Sequence, residues 1–186
     1  MKIDCVAGSV PRPLASIFSC RGAVILALVA IGAVAPAPSF AEGVLVSFRD
    51  ASPPGTIVVR TAERRLYLVL GDGQAIRYKV GVGRANRQWS GISSISGKYL
   101  KPNWVPPSEV RRDKPSLPEM IPGGAPNNPM GVAAMTLSGG QYAIHGTNRP
   151  ATIGGFVSYG CIRMHNQDIT DLFHRVAVGT PVVVQQ

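Results

Sequence analysis

Apolar positions recur along most of this chain in short runs or at every second residue, and only once at helical spacing. Ile57-Val58-Val59 is a β-branched run, and Leu66-Tyr67-Leu68-Val69-Leu70 is a second apolar stretch. Gly71-Asp72-Gly73 follows as a turn, after which Ile76, Tyr78 and Val80 alternate with Arg77 and Lys79. Such alternation buries one face of a strand and wets the other, so this part predicts a β-meander with a tight hairpin. Residues 131–137 and 141–144 predict two more strands around Ser138-Gly139-Gly140, and Pro181-Val182-Val183-Val184 a last one. Ile169, Leu172, Phe173 and Val176 instead recur three and four apart. They predict one helix, capped by Asn166, with Asp168 and Asp171 near its positive end and Gly179 as its stop.

Between Gly83 and Pro129 the pattern dissolves. Eight prolines fall between Pro102 and Pro129, so regular structure there should be short. Trp89, Tyr99 and Trp104 lie in the same stretch, and disordered segments usually lack such residues. An ordered, Pro-rich lid loop is expected. The fold class is therefore mainly β, with one helix in the C-terminal region and a long lid.

The first residues are of another kind. Lys2, Arg12 and Arg21 precede an apolar run at 23–34, and Ser39-Phe40-Ala41 presents small residues as a signal peptidase requires. The run is well short of the ~20 residues that span a bilayer. Residues 1–41 are expected to be an export signal, 42–55 a linker ending at Pro53-Pro54-Gly55, and 56–186 the single domain. The leader takes Lys2, Arg12 and Arg21 against Asp4 from a formal charge of +9, leaving +7. The basic residues are scattered, with no set of stacking aromatics, which excludes an ordinary nucleic-acid binder. A basic exported protein suits an anionic polymer of the periplasm or cell wall. No signal for an oligomeric state is present.

Removing the leader also takes Cys5 and Cys20, leaving Cys161 as the only thiol. An unpaired cysteine in an exported chain points to reactivity rather than to a disulfide. It sits in Ser158-Tyr159-Gly160-Cys161-Ile162-Arg163-Met164, after His145-Gly146-Thr147-Asn148. A free thiol has a pKa of about 8.5 and needs a base to act as a nucleophile near neutrality. His145 is the candidate base. No Asp or Glu lies between Ile121 and Met164, so a backbone carbonyl, most simply that of Gly146, is expected to orient the imidazole. Backbone N–H groups of Cys161 and of Gly160 or Tyr159 are the expected oxyanion donors. Glycine at 160 is expected to leave room for substrate. A zinc site from His145, Cys161 and His165 lacks ordinary ligand pairs and a fourth ligand, so no metal or cofactor is expected.

The two-part motif, together with Asn127-Asn128-Pro129-Met130-Gly131 and Gly179-Thr180-Pro181-Val182, closely resembles the L,D-transpeptidase catalytic domain, the YkuD-like fold. The resemblance covers residues 56–186 and implies a mixed β-sandwich. It implies a cysteine transpeptidase in which Cys161 attacks a peptidoglycan stem tetrapeptide, D-alanine leaves, and the acyl group passes to an amine on another stem or on an envelope protein. The same residues would serve a carboxypeptidase-like hydrolase or a wall-binding module of weak activity. Arg163, Ser158, Asn148 and Thr147 are the expected substrate contacts, with a bridge to Asp168 or Asp171 as the alternative for Arg163. Two positions depart from the family pattern. Tyr159 stands where the family usually has histidine, and Gln88-Trp89-Ser90-Gly91 replaces a Thr-Pro-x-Gly element.

Overall fold

The computed structural model describes residues 43–140 and 142–186; the expected leader and its cleavage site lie outside the described residues. Among the described residues there are ten strands and two short α-helices. Strands β1 (Val44–Ser47), β2 (Ile57–Arg60), β3 (Arg65–Gly71), β4 (Gln74–Gly83) and β5 (Gly91–Leu100) precede helix α1 (Ser108–Asp113). Strands β6 (Ala133–Leu137), β7 (Ala143–His145), β8 (Phe156–Ser158) and β9 (Ile162–Met164) follow, then helix α2 (Asn166–Arg175) and strand β10 (Pro181–Gln185).

Eight strands close into a barrel rather than the expected sandwich, in the order β4-β3-β2-β10-β5-β6-β7-β9 and back to β4. Closure depends on the length of β4. Residues 74–79 of β4 pair with β3, and Val80 and Gly81 then pair with Met164 and Arg163 of β9. One strand thus serves as both ends of the sheet, which removes the unpaired edges a sandwich must protect. The pairing is mixed, with β10 parallel to β2 and β7 parallel to β9.

The barrel interior holds Ile57, Leu66, Tyr78, Met135 and Ile144, with Ile169 and Leu172 of α2 packed against them. Helix α2 follows the expected apolar periodicity, but Asn166 does not cap it. Its side chain accepts the Thr147 N–H at 2.9 Å and ties the turn after His145 to the helix. At the other end the Lys98 ammonium donates to the carbonyls of Phe173 and Val176, each at 2.6 Å, which suits the negative pole of a helix.

Two stretches differ from the sequence reading. Within the expected linker, β1 pairs with β4, and Phe48 stacks on Tyr67 with ring centroids 4.4 Å apart. The outer face of the meander is therefore partly covered, with Val58, Tyr67 and Val69 buried beneath this strap. Strand β5 lies where no strand was expected. Its sequence, Gly-Ile-Ser-Ser-Ile-Ser-Gly-Lys-Tyr-Leu, buries only Ile95 and Gly97, so its apolar period is faint. Pairing is carried by the backbone ladder to β6 and by hydroxyls, with Ser96 2.9 Å from Thr136 and Ser94 2.7 Å from Ser138.

The Pro-rich stretch after β5 is an ordered loop; of the three aromatics only Trp104 lies in it, since Tyr99 is on β5 and Trp89 precedes that strand. Helix α1 lies within it, and Trp104 and Ile121 bridge its two arms. Asn128 staples its base. The buried amide donates to the carbonyls of Pro102 and Pro122 at 2.9 Å each and accepts the Met130 N–H at 2.9 Å. No helix among the described residues is long and apolar enough to cross a membrane.

Candidate active site

Register places the two motif halves together. In the parallel pair β7–β9, Ile144 lies beside Ile162 and His145 beside Arg163. Side chains two apart on an extended chain share a face, so Cys161 points the same way as Arg163, and His145 joins them across the pair. All three line one cavity of about 530 Å³ at the mouth of the barrel. The lid supplies its far wall through Trp104, Pro107, Ser108, Glu109 and Val110.

The His145 ring is buried, and its Nδ1 lies 2.7 Å from the Gly146 carbonyl. A carbonyl only accepts, so the neutral ring carries its proton on Nδ1 and leaves Nε2 with a lone pair. Burial, reinforced by the charge of Arg163, holds the imidazole pKa down to about 4, against smaller raising contributions from the backbone of Gly146 and Pro129. Glycine is required at 146, where any Cβ would overlap the Asn166 side chain and press on the Met130 carbonyl.

Burial pushes the Cys161 thiol up, while a backbone hydrogen bond with Ala143 and the charge of Arg163 pull it down. The resting pair is therefore a neutral thiol and a neutral imidazole on one cavity, which leaves the thiolate to form as the base acts. The cause is the burial of both groups, which disfavours either charge.

Several sequence-predicted residues take other places. Ser158 is buried at the cavity edge, but its hydroxyl donates to the Cys161 carbonyl at 2.6 Å and accepts the Gly160 N–H at 3.1 Å. That hydroxyl fixes the loop, and the Gly160 N–H is no longer available to an oxyanion. Thr147 is buried inside its turn, accepting the Arg149 N–H at 3.0 Å, and is not a cavity contact. Asn148 donates to the Asn127 carbonyl at 3.0 Å and lies at a smaller, adjoining cavity. Arg163 bridges neither expected acid. Asp171 takes Arg175 and the Tyr78 hydroxyl, and Arg163 forms no ion pair among the described residues.

Gly160 does not make room for substrate. Its backbone has φ +123°, and a Cβ there would overlap the Tyr142 ring. Tyr142 stacks on Trp89 at 5.0 Å, and the Trp89 indole donates to the Gly160 carbonyl at 2.9 Å. Two aromatics thus brace the turn that presents Cys161. Gly160→Ala is expected to destabilise the protein by about 1–3 kcal/mol and to displace Cys161. A urea unfolding midpoint unchanged from wild type would contradict this.

Tyr159 has a role that its sequence neighbours do not signal. Its hydroxyl donates to Asp113 at 2.6 Å, Arg84 lies over its ring at 4.1 Å, and Arg84 pairs with Asp113 at 3.1 Å. A second pair, Arg87 with Glu109, reaches the same helix. Together these clasp α1 against the turn before Cys161. The Asp113 carboxyl is held below its usual range by Tyr159 and Arg84. The groups are exposed and open to salt screening. Asp113→Asn is expected to speed amide exchange across residues 108–113 several-fold and to leave the melting temperature near wild type. Unchanged exchange would show that the clasp does not hold the helix.

Comparison with known proteins agrees with this geometry. The YkuD family model, described as the L,D-transpeptidase catalytic domain, matches residues 54–184. The protein named Probable L,D-transpeptidase ErfK/SrfK of Escherichia coli K12 is 42% identical over 137 residues, covering 69% of this chain and 43% of the relative. Probable L,D-transpeptidase YbiS of the same strain is 39% identical over 135 residues, covering 68% and 43%. The chain thus spans less than half the length of these curated relatives. Among solved structures, an L,D-transpeptidase from Mycobacterium tuberculosis H37Rv superposes with a TM-score of 0.54 at 16% identity, covering 70% of this chain and 57% of that one. The catalytic domain of the E. faecium L,D-transpeptidase gives 0.53 at 18%, covering 70% and 95%. At these identities the structures establish the shared fold.

Proposed function

The chain belongs to the L,D-transpeptidase catalytic domain family, and from this premise we propose that it transfers acyl groups between peptidoglycan stem peptides, with Cys161 as nucleophile and His145 as base. The observation that carries this is the His145 ring fixed through Nδ1 on the Gly146 carbonyl, on the same cavity as the one free cysteine of the described residues. The Cys161 thiol gives its proton to His145 Nε2 as sulfur bonds to the carbonyl carbon of the third stem residue, a diamino acid. The tetrahedral oxyanion takes the backbone N–H groups of Cys161 and Tyr159, since that of Gly160 is held by Ser158. The C–N bond then breaks, His145 returns the proton to the leaving nitrogen, and D-alanine departs. An acceptor amine attacks the thioester, losing its proton to His145, and as the new amide forms the C–S bond breaks and sulfur takes that proton back from His145.

With both groups neutral at rest, His145 acts as a general base during attack and does not store an ion pair. The leader expected at 1–41 and the basic mature chain support export to the periplasm or wall, where this polymer lies. Mass spectrometry after incubation with purified muropeptides tests the proposal. A tripeptide-acyl adduct on Cys161, followed by crosslinked dimers, is the expected result. Tripeptide alone would mean hydrolysis, and a stem bound without any adduct would mean a wall-binding module.

A further inference from the structure

We propose that the smaller cavity beside the main one is a carboxylate subsite formed by Arg163, Arg149 and Lys114. It has a volume of about 130 Å³ and lies under the C-terminal end of α1. Lys114 follows that helix, Arg149 follows the turn after His145, and Arg163 comes from β9. Trp104, Leu117, Ile121 and Pro129 supply apolar walls. The two cavities adjoin, sharing Trp104, Val110, Pro129, Tyr159 and Arg163 as lining. A carboxylate bound in the smaller one would therefore sit within one residue's reach of Cys161.

Charge supplies the independent reason. Three cations line the small cavity and no carboxylate does. The Arg163 Nε is enclosed and makes no hydrogen bond among the described residues. The neighbouring acids are committed elsewhere: Asp113 to Arg84 and Tyr159, Glu109 to Arg87, and Asp171 to Arg175. Burial presses hardest against the positive charge of Arg163; Cys161 favours that charge, and the nearby charge of Arg149 opposes it. A partly buried guanidinium beside a second one is costly unless an anion joins them. A planar carboxylate fits such a fork, and the apolar walls would take the methylenes attached to it. Arg163 was expected to contact substrate; the structure adds Arg149 and Lys114, which line the adjoining cavity and not the one that holds Cys161.

The subsite rests on the transfer reading only for which molecule brings the carboxylate, the acyl donor or the amine acceptor. Equilibrium binding to the Cys161→Ala protein separates these and needs no turnover. One arm uses a stem tetrapeptide and its forms amidated at one carboxylate at a time. The other uses glycine and glycinamide as acceptor probes. In one arm the free acid is expected to bind about ten-fold tighter than its amide, as one charge-assisted contact gives. Adding Arg149→Gln or Lys114→Gln should bring that ratio towards one, while Arg77→Gln, on the outer face of β4, should not change it. The arm that responds identifies the source. Equal binding of acids and amides, a ratio insensitive to Arg149→Gln and Lys114→Gln in both arms, or no binding at all would overturn the proposal. Failure of the transfer chemistry would instead appear as an unacylated Cys161 in the wild-type protein.

Discussion

Cys161→Ala is expected to abolish D-alanine release and the acyl adduct, lowering turnover by ~10⁴-fold or more, with the fold retained. The thiol is the one free cysteine among the described residues, and burial keeps it protonated at rest. Among the described residues that line the cavity no second thiol is present. Ser158 is the nearest serine in sequence, and its oxygen is occupied by the Cys161 carbonyl and the Gly160 N–H. Alanine removes one heavy atom and leaves the aromatic brace of Trp89 and Tyr142 on Gly160 in place. The melting temperature should therefore stay close to wild type. Release of D-alanine from tetrapeptide stems, with intact-protein mass, measures the chemistry. Retained turnover in this variant would mean that sulfur is not the attacking atom.

The site was more legible in the sequence than the fold that holds it. The hairpin of β3 and β4 could be read because alternation and a glycine turn are local signals. His145 and Cys161 could be paired because each ends or begins a short apolar strand beside glycine. Barrel closure could not, because it depends on β4 changing partner at Val80, a pairing of residues 84 positions apart. Strand β5 was hidden because its inward positions are few and its cross-strand contacts are serine hydroxyls. The same limit applies at the site. Ser158, Thr147 and Gly160 have the composition of substrate contacts, yet their polar groups and open space are used by the loop itself. Arg84 and Asp113 carry no motif, and only the lid's path brings them to Tyr159. The position that departs from the family pattern is thus the one that ties the nucleophile's turn to the lid.

His145→Gln is expected to slow acylation of Cys161 by ~10²–10⁴-fold and to flatten the acid side of the stability profile. The native imidazole is buried and neutral, with a pKa of about 4 against an ordinary 6.5. Between these values the unfolded chain binds the proton and the native protein does not, so stability rises with pH across this window. The contribution is fully present above 6.5 and is lost as pH falls to 4, amounting to about 3 kcal/mol. Glutamine cannot titrate, so the variant should lack that part of the slope. Urea unfolding at pH 4, 5, 6 and 7 measures it. The wild-type acylation rate should follow the same group, with its acid limb near pH 4 instead of near 6.5. On the alkaline side, reaction of Cys161 with iodoacetamide should keep rising beyond pH 8.5, because burial holds the thiol up. An acid limb at pH 6 to 7 would mean that His145 is wet and charged in the working enzyme. The pair would then start as thiolate and imidazolium, and the neutral starting state inferred from the buried ring would be wrong.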